Sequence, residues 1–224
     1  MFKLTKLITF RPDADPAARD RLSDALTSFA DTSPHVLRAR LQPAGEAVQN
    51  GGDLIWHVQF DRESAYLSAI RSREWSAVDA ALTADAVSHV DSAAYPQGSF
   101  EIREPGLTGG IHRTLLISML PGTASAKIAQ FEAEMRQMAR YLPGIRNWGF
   151  SQVVYASGIR EWTHVWEQEF QDAAYLFGPY LNHPIHFASI DRWFDTQSHD
   201  WIVDPEICHT YCPTETSLLT PPGR

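Results

Sequence analysis

Shifted by 109 residues, the chain matches itself without a gap. Pro12 falls on Pro121 and Pro34 on Pro143, Leu7-Ile8 falls on Leu116-Ile117, and Ala65-Tyr66-Leu67 falls on Ala174-Tyr175-Leu176. Leu22, Leu26 and Phe29 fall on Phe131, Met135 and Met138, so the periodicity of an apolar helical face repeats too. Two copies are too few for a solenoid, whose repeats need neighbours on both sides to bury their faces. The sequence therefore reads as a duplicated domain: residues 1–104, then a turn-rich linker at Glu104–Gly110, then residues 111–212. The tail, 213–224, is rich in Thr, Pro and Gly and is expected to be loosely ordered.

Each copy predicts the same order of elements. In the first, Phe2 to Phe10 is a strand. Asp15-Pro16 opens a helix with an N-cap acid and a proline at the first position, and Pro34 stops it. Val36 to Leu41 and Leu54 to Phe60 are strands around Asn50-Gly51-Gly52. Ser64 to Leu82 is two short helices, and Val87 to Ile102 holds a last strand. In the second, Ile111 to Met119, Gly149 to Tyr155 and Trp162 to Phe170 are strands. Ser125 to Tyr141, Asp172 to Phe177 and Pro184 to Phe194 are helical, and Trp201-Ile202-Val203 starts the final strand. A sheet with helices on one face leaves the other bare. Two such sheets in one chain can cover each other.

Composition narrows the function classes. The 224 residues are 44% hydrophobic and 21% charged, enough for a substantial core. A net charge of -8 without a basic patch argues against a nucleic-acid partner. No apolar run reaches the ~18 residues of a membrane span. The N-terminus lacks a signal-peptide pattern, so the expected location is the cytoplasm, without membrane attachment. Two cysteines, Cys208 and Cys212, make no disulfide framework, and Cys208-His209-x-x-Cys212 lacks the second pair of a structural zinc site. No nucleotide-binding or nucleophile-elbow motif is present, and no cofactor or metal is expected.

The chemistry concentrates in Tyr180-Leu181-Asn182-His183-Pro184-Ile185-His186. Pro184 suits the first position of a helix, which places His183 at the cap and His186 in the first turn. The positive end of the helix dipole favours neutral imidazole, so His186 is positioned as a base near pH 7, with the Tyr180 hydroxyl upstream as a donor. Strand alternation puts His112, Thr114, Leu116 and Ser118 on one face, and Trp162, His164, Trp166 and Gln168 on one face of another strand. Trp162 and Trp166 would frame a flat or hydrophobic ligand if they do not simply fill the core. Under the shift, His112 meets Lys3, His164 meets Ile55, Tyr180 meets Arg71, His183 meets Glu74 and His186 meets Ala77. None of the five survives in the first copy, which points to one working pocket and one scaffold. Four histidines admit a metal, but no His pair shares one regular element and no carboxylate is an obvious further ligand. His35, His57, His89 and His199 receive no role, and Glu132, Glu134, Arg136 and Arg140 read as a solvated helix face.

His112, Pro143-Gly144-Ile145, His164, Glu169-Phe170 and Tyr180…His183-Pro184-Ile185-His186 together resemble the stress-responsive dimeric α/β-barrel (Dabb) family over residues 111 to 208. The first copy resembles it only in apolar pattern and prolines. The resemblance implies an α+β class: two ferredoxin-like repeats closing an intrachain dimeric α/β-barrel, a monomeric pseudo-dimer or a homodimer of it. Members of the olivetolic acid cyclase type are cofactor-free enzymes whose catalytic Tyr and His would fall on Tyr180 and His186, and whose strand histidines would fall on His112 and His164. That implies a cofactor-independent lyase, isomerase or cyclase acting on a carbonyl-bearing aromatic or polyketide-like molecule. His186 would be the base, Tyr180 the donor to the developing oxyanion, His112 and His164 orienting groups, and His183, Trp162 and Trp166 the substrate wall. The alternatives are a non-catalytic stress protein holding a hydrophobic ligand, and a cofactor-free monooxygenase.

Overall fold

The computed structural model describes residues 1–46 and 48–221. The first half runs β1 (Phe2–Phe10), α1 (Pro16–Thr32), β2 (Val36–Pro43), β3 (Leu54–Phe60), α2 (Glu63–Ile70), α3 (Trp75–Leu82), β4 (Val87–Pro96) and β5 (Ser99–Ile102). The second runs β6 (Thr108–Ile117), α4 (Ser125–Tyr141), β7 (Ile145–Gln152), β8 (Tyr155–Ser157), β9 (His164–Phe170), α5 (Ala173–Tyr175) and β10 (Cys208–Thr216). Local signals set these bounds. Asp15 accepts the N–H of Ala17 at the start of α1, and the helix ends two residues before Pro34. Leu22, Leu26 and Phe29 form its buried face, as Phe131, Met135 and Met138 do in α4. No helix among the described residues is long and apolar enough to cross a membrane.

Two five-stranded antiparallel sheets result, ordered β2-β3-β1-β4-β8 and β10-β6-β9-β7-β5. Each carries helices on its outer face. The inner faces meet over Leu7, Ile55, Ala93, Tyr95, Leu116, Trp162 and Val165. The chain is thus an α+β pseudo-dimer. The halves also trade short strands: β8 pairs with β4 and β5 pairs with β7. The single strand expected over Val87 to Ile102 therefore breaks at Gln97-Gly98, where a Cβ on Gly98 would collide with the carbonyl oxygen of Phe150.

The uniform shift of 109 does not survive pairing. Lys3 pairs with Gln59, but His112, its counterpart, pairs with Glu169, one residue beyond the shifted position. A one-residue slip turns every side chain to the opposite face. The counterpart of His164 is therefore Leu54, not Ile55. Lys3 also pairs with Tyr95, whereas His112 pairs with Cys212, eight residues later than the shift demands. Trp201-Ile202-Val203 accordingly does not begin the last strand. Val203 makes only an isolated bridge to Met119, and the strand is β10.

The tail departs from expectation as well. Pro213 to Thr216 belong to β10, and Leu218 and Leu219 are buried. Glu169 Oε1 accepts the backbone N–H of Leu218 and Leu219, and Oε2 accepts Ser217 Oγ at 2.7 Å. Arg38 and Gln59 of the first half donate to the carbonyls of Ser217, Leu218 and Thr220. These hydrogen bonds, invisible to composition, hold the segment down. Residues 222–224 lie outside the described residues.

Candidate active site

On the outer face of the second sheet, a cavity of about 170 Å³ lies between β6, β10, α4 and the segment after α5. Arg113, Leu115, Met135, Tyr180, His186 and His209 are among its walls. The segment that supplies Tyr180 and His186 is not ordinary α-helix: Leu176–Tyr180 and His186–Ile190 are π-helical turns. Pro179 has no N–H to continue an α-ladder, and Leu181 N instead donates to Leu176 O. Widened turns of this kind recur at functional sites. The Tyr180 and His186 rings meet edge-on, with centroids 5.2 Å apart. His186 Nδ1 lies 3.0 Å from Asp191 Oδ1. The His186 ring lines the cavity, and a proton held on Nδ1 against Asp191 leaves Nε2 as the ring's acceptor. Among the described residues, the Tyr180 hydroxyl donates only to Met138 Sδ, at 3.5 Å, a weak acceptor.

Arg113 is buried beside them, its guanidinium 5.2 Å from the Tyr180 ring centroid. Its Nε donates to His209 Nε2 at 2.8 Å and Nη1 donates to Gln168 Oε1. Burial, then the charge of Arg113, push the His209 pKa down to about 2, so it remains a neutral acceptor. Sequence reasoning missed Arg113, His209 and Asp191. The signal it carried for Arg113 was a cation set inside a strand between His112 and Thr114.

The other expected site residues lie elsewhere. His112 occupies the inner face of β6, turned away from the cavity, because alternation that points Arg113 and Leu115 outward points His112 inward. His164 is on the outer face of β9 but is held against α4 by Glu132, 3.2 Å from Nε2, and stacks on Phe150. Burial lowers its pKa, only partly offset by Glu132. Trp162 and Trp166 do not frame one site. The chain reaches β9 only at His164, and Trp162 packs between the sheets, while Trp166 packs on Trp148 and Phe150 in the outer core. His183 caps the following turn by accepting the N–H of Ile185 at 3.2 Å, and it does not line the cavity. Nor are Glu132 and Glu134 merely solvated: Glu134 accepts from Arg192 and Trp193.

A second polar cluster fills the space between the sheets. Lys3 Nζ donates to Glu167 Oε2 at 2.9 Å. His112 lies 3.4 Å from Glu167 and 3.3 Å from Glu169. His57 Nδ1 bonds Thr5 Oγ1, and its Nε2 has no partner among the described residues. Burial opposes charge on both acids, but Lys3 and His112 outweigh it at Glu167 and hold it well below the carboxylate range. Hydrogen bonds from His112, Asn147 and Ser217 hold Glu169 down to about 2. Burial likewise opposes the charge on His112, whose pKa the two carboxylates nonetheless raise. His57, His112 and Glu167 bring ligand atoms within 4.8 Å of one another, so a carboxylate does stand beside two of the histidines. Lys3 already supplies positive charge to that carboxylate. Cys208 and Cys212 are free, buried on the inner face of β10, and outside this group.

The same architecture recurs among known proteins. An anthrone oxidase-like protein superposes with a TM-score of 0.63 at 9% identity, over 95% of this chain and 90% of its own. A protein from Lactobacillus acidophilus NCFM named as a candidate monooxygenase gives 0.52 at 12% identity, over 98% and 95%. A chlorite dismutase variant from Candidatus Nitrospira defluvii in complex with cyanide gives 0.52 at 9%, over 98% and 91%. At such identities the likeness is one of fold. Among curated proteins none matches the sequence. Most of the cavity wall, including Arg113, Met135, Tyr180 and His186, falls within residues 111–204, which match the family profile described as Stress Responsive A/B Barrel Domain (Dabb), so this part of the chain is similar to that family.

Proposed function

We propose that the cavity is a proton-transfer site for a carbonyl-bearing small molecule, and that the protein is a cofactor-independent lyase, isomerase or cyclase. The observation that carries this reading is the Asp191–His186 pair opening on a cavity whose phenol has, among the described residues, only a thioether to bond. His186 Nε2 takes a proton from the carbon next to the carbonyl. The C–H electron pair moves into the carbon framework, and negative charge gathers on the carbonyl oxygen. Tyr180 turns from Met138 to donate to that oxygen, and the proton returns to carbon or to a leaving oxygen. General acid–base help of this kind gives ~10²–10⁴-fold, and positioning by the cavity supplies the rest. On this reading residues 111–212 carry the site and residues 1–104 are its scaffold.

The natural substrate is not required for the test. Single-ring ketones and short β-dicarbonyl compounds are incubated with the protein in D₂O, and loss of the α-proton signal is followed by NMR. Wild type should exchange at least one compound, and His186→Ala should slow it by about 10²-fold or more while keeping a wild-type melting curve. Full exchange by the variant would remove the mechanism. A second reading, oxidation by O₂, is favoured by the fold likeness to an anthrone oxidase-like protein. Oxygen uptake that persists in the His186 variant would support it instead.

A further inference from the structure

Arg113 sits at a position where the fold does not require a cation. It pairs across β9 with Gln168 and across β10 with Tyr211. The equivalent lattice point of the first half is Leu4, between Val58 and Ala94, all apolar and buried. A guanidinium has five N–H donors. Two of Arg113's are used, on the neutral acceptors His209 and Gln168. Among the described residues no carboxylate lies within ion-pair distance of it. Every other cation at that depth has an acidic neighbour: Lys3 has Glu167, and Lys6 feels Asp79. The remaining donors belong to a side chain that lines the cavity. Asp191, the acid of the cavity wall, is half-exposed and turned to His186.

We propose that Arg113 is the anion-recognition residue of this cavity, and that the ligand is a small carboxylic acid carrying its charge against the guanidinium. This names the substrate class of the proton-transfer site and rests on that reading for the chemistry, though not for the binding. Burying a cation without an acid costs more than burying an apolar side chain, and an anionic ligand removes that cost on arrival. Burial lowers the pKa of Arg113, with Tyr180 acting the other way, yet arginine stays protonated in proteins. His209 cannot compete as a second cation, because it stays neutral. The cavity, at about 170 Å³, has the size of a single ring, since ~150 Å³ already accommodates benzene. A carboxylate on Arg113 would set the ring or chain against Leu115 and Met135 and bring its neighbouring carbon toward His186 and Tyr180.

The experiment is calorimetric titration of the full chain with benzoate and with benzamide, which has the same shape and no charge. Wild type should bind benzoate about tenfold to hundredfold more tightly than benzamide, the range for a hydrogen bond to a charged group. Arg113→Met should lose that preference, and Arg113→Lys should keep part of it. His186→Ala, whatever it does to absolute affinity, should keep the preference for benzoate over benzamide while losing α-proton exchange, so the failure of the catalytic reading and the failure of this one are distinguishable. Equal affinities in wild type, a preference unchanged in Arg113→Met, or no benzoate binding up to about 10 mM would each overturn the proposal. Should Arg113→Met fail to fold, as judged by its melting curve, Arg113→Gln is the deciding variant. It keeps hydrogen bonding without charge, and a retained preference there is equally fatal.

Discussion

The two halves build the same chamber between sheet and helices and fill it differently. In the first, Leu4, Leu22, Leu26, Phe29, Trp56, Trp75 and Val78 are buried together in one apolar cluster. Phe29 meets Trp75 edge-on at 5.0 Å, and Trp56 stacks on Trp75 at 5.9 Å. Two regular α-helices, α2 and α3, close it. In the second, the corresponding segment is broken into π-helical turns around Pro179 and Pro184, and an arginine replaces Leu4. The lesson is that stability and a reactive hollow compete for one volume. The filled chamber gains the area and close packing that hold a domain together. The open one gives up part of both and places a phenol, an imidazole and a cation where apolar side chains would be more stable.

Exchanging Leu4 and Arg113 is the sharpest way to break the comparison. Leu4→Arg puts a charge into an apolar chamber and is expected to cost at least about 4 kcal/mol, whereas Arg113→Leu removes a buried charge but leaves the acceptors of His209 and Gln168 unpaired, and is expected to cost no more than about 1–3 kcal/mol. Urea denaturation of both variants checks the pair, and an Arg113→Leu as costly as Leu4→Arg would show that the arginine is structural after all. Next in size is Glu169→Ala, which strips acceptors from His112, Asn147, Ser217 and two backbone amides and should cost about 3 kcal/mol. Its pH signature has a definite sign. Glu169 is held at about 2, so its contribution is complete above the ordinary carboxylate value near 4.5 and is lost as pH falls from there toward 2. The stability difference between wild type and Glu169→Ala should therefore shrink across that window. The smallest effect belongs to Asp191→Asn. Its contact with His186 is half-exposed and worth no more than about 1 kcal/mol, so the α-proton exchange rate should fall less than about tenfold with no change in melting.

How much of the molecule is legible in the sequence depends on whether the information is local. Strand and helix identities come through because Asp15-Pro16, Pro34 and the spacing of Leu22, Leu26 and Phe29 act on their own neighbourhoods. The Tyr180–His186 pairing comes through for the same reason, since six residues of chain bring them together. What fails is register. A loop one residue longer before β9 moves His164 off the position of Ile55, and an insertion before β10 displaces the last strand. Alternation tells which residues share a face but not which face looks at the helices. It therefore assigns His112 to the cavity, whereas the molecule places it in the space between the sheets. His57 and Glu167 cannot be joined to it from sequence, because they meet only when the two halves are stacked.

The single polypeptide linking the two sheets has one more consequence. Where two identical subunits form such a barrel, any substitution appears on both sides of the axis, so a cation admitted to one hollow is admitted to its twin. Here Leu4 and Arg113 are separate codons. Asymmetry between the hollows is inherited directly, and the apolar side can lend rigidity to a side that is free to become less stable.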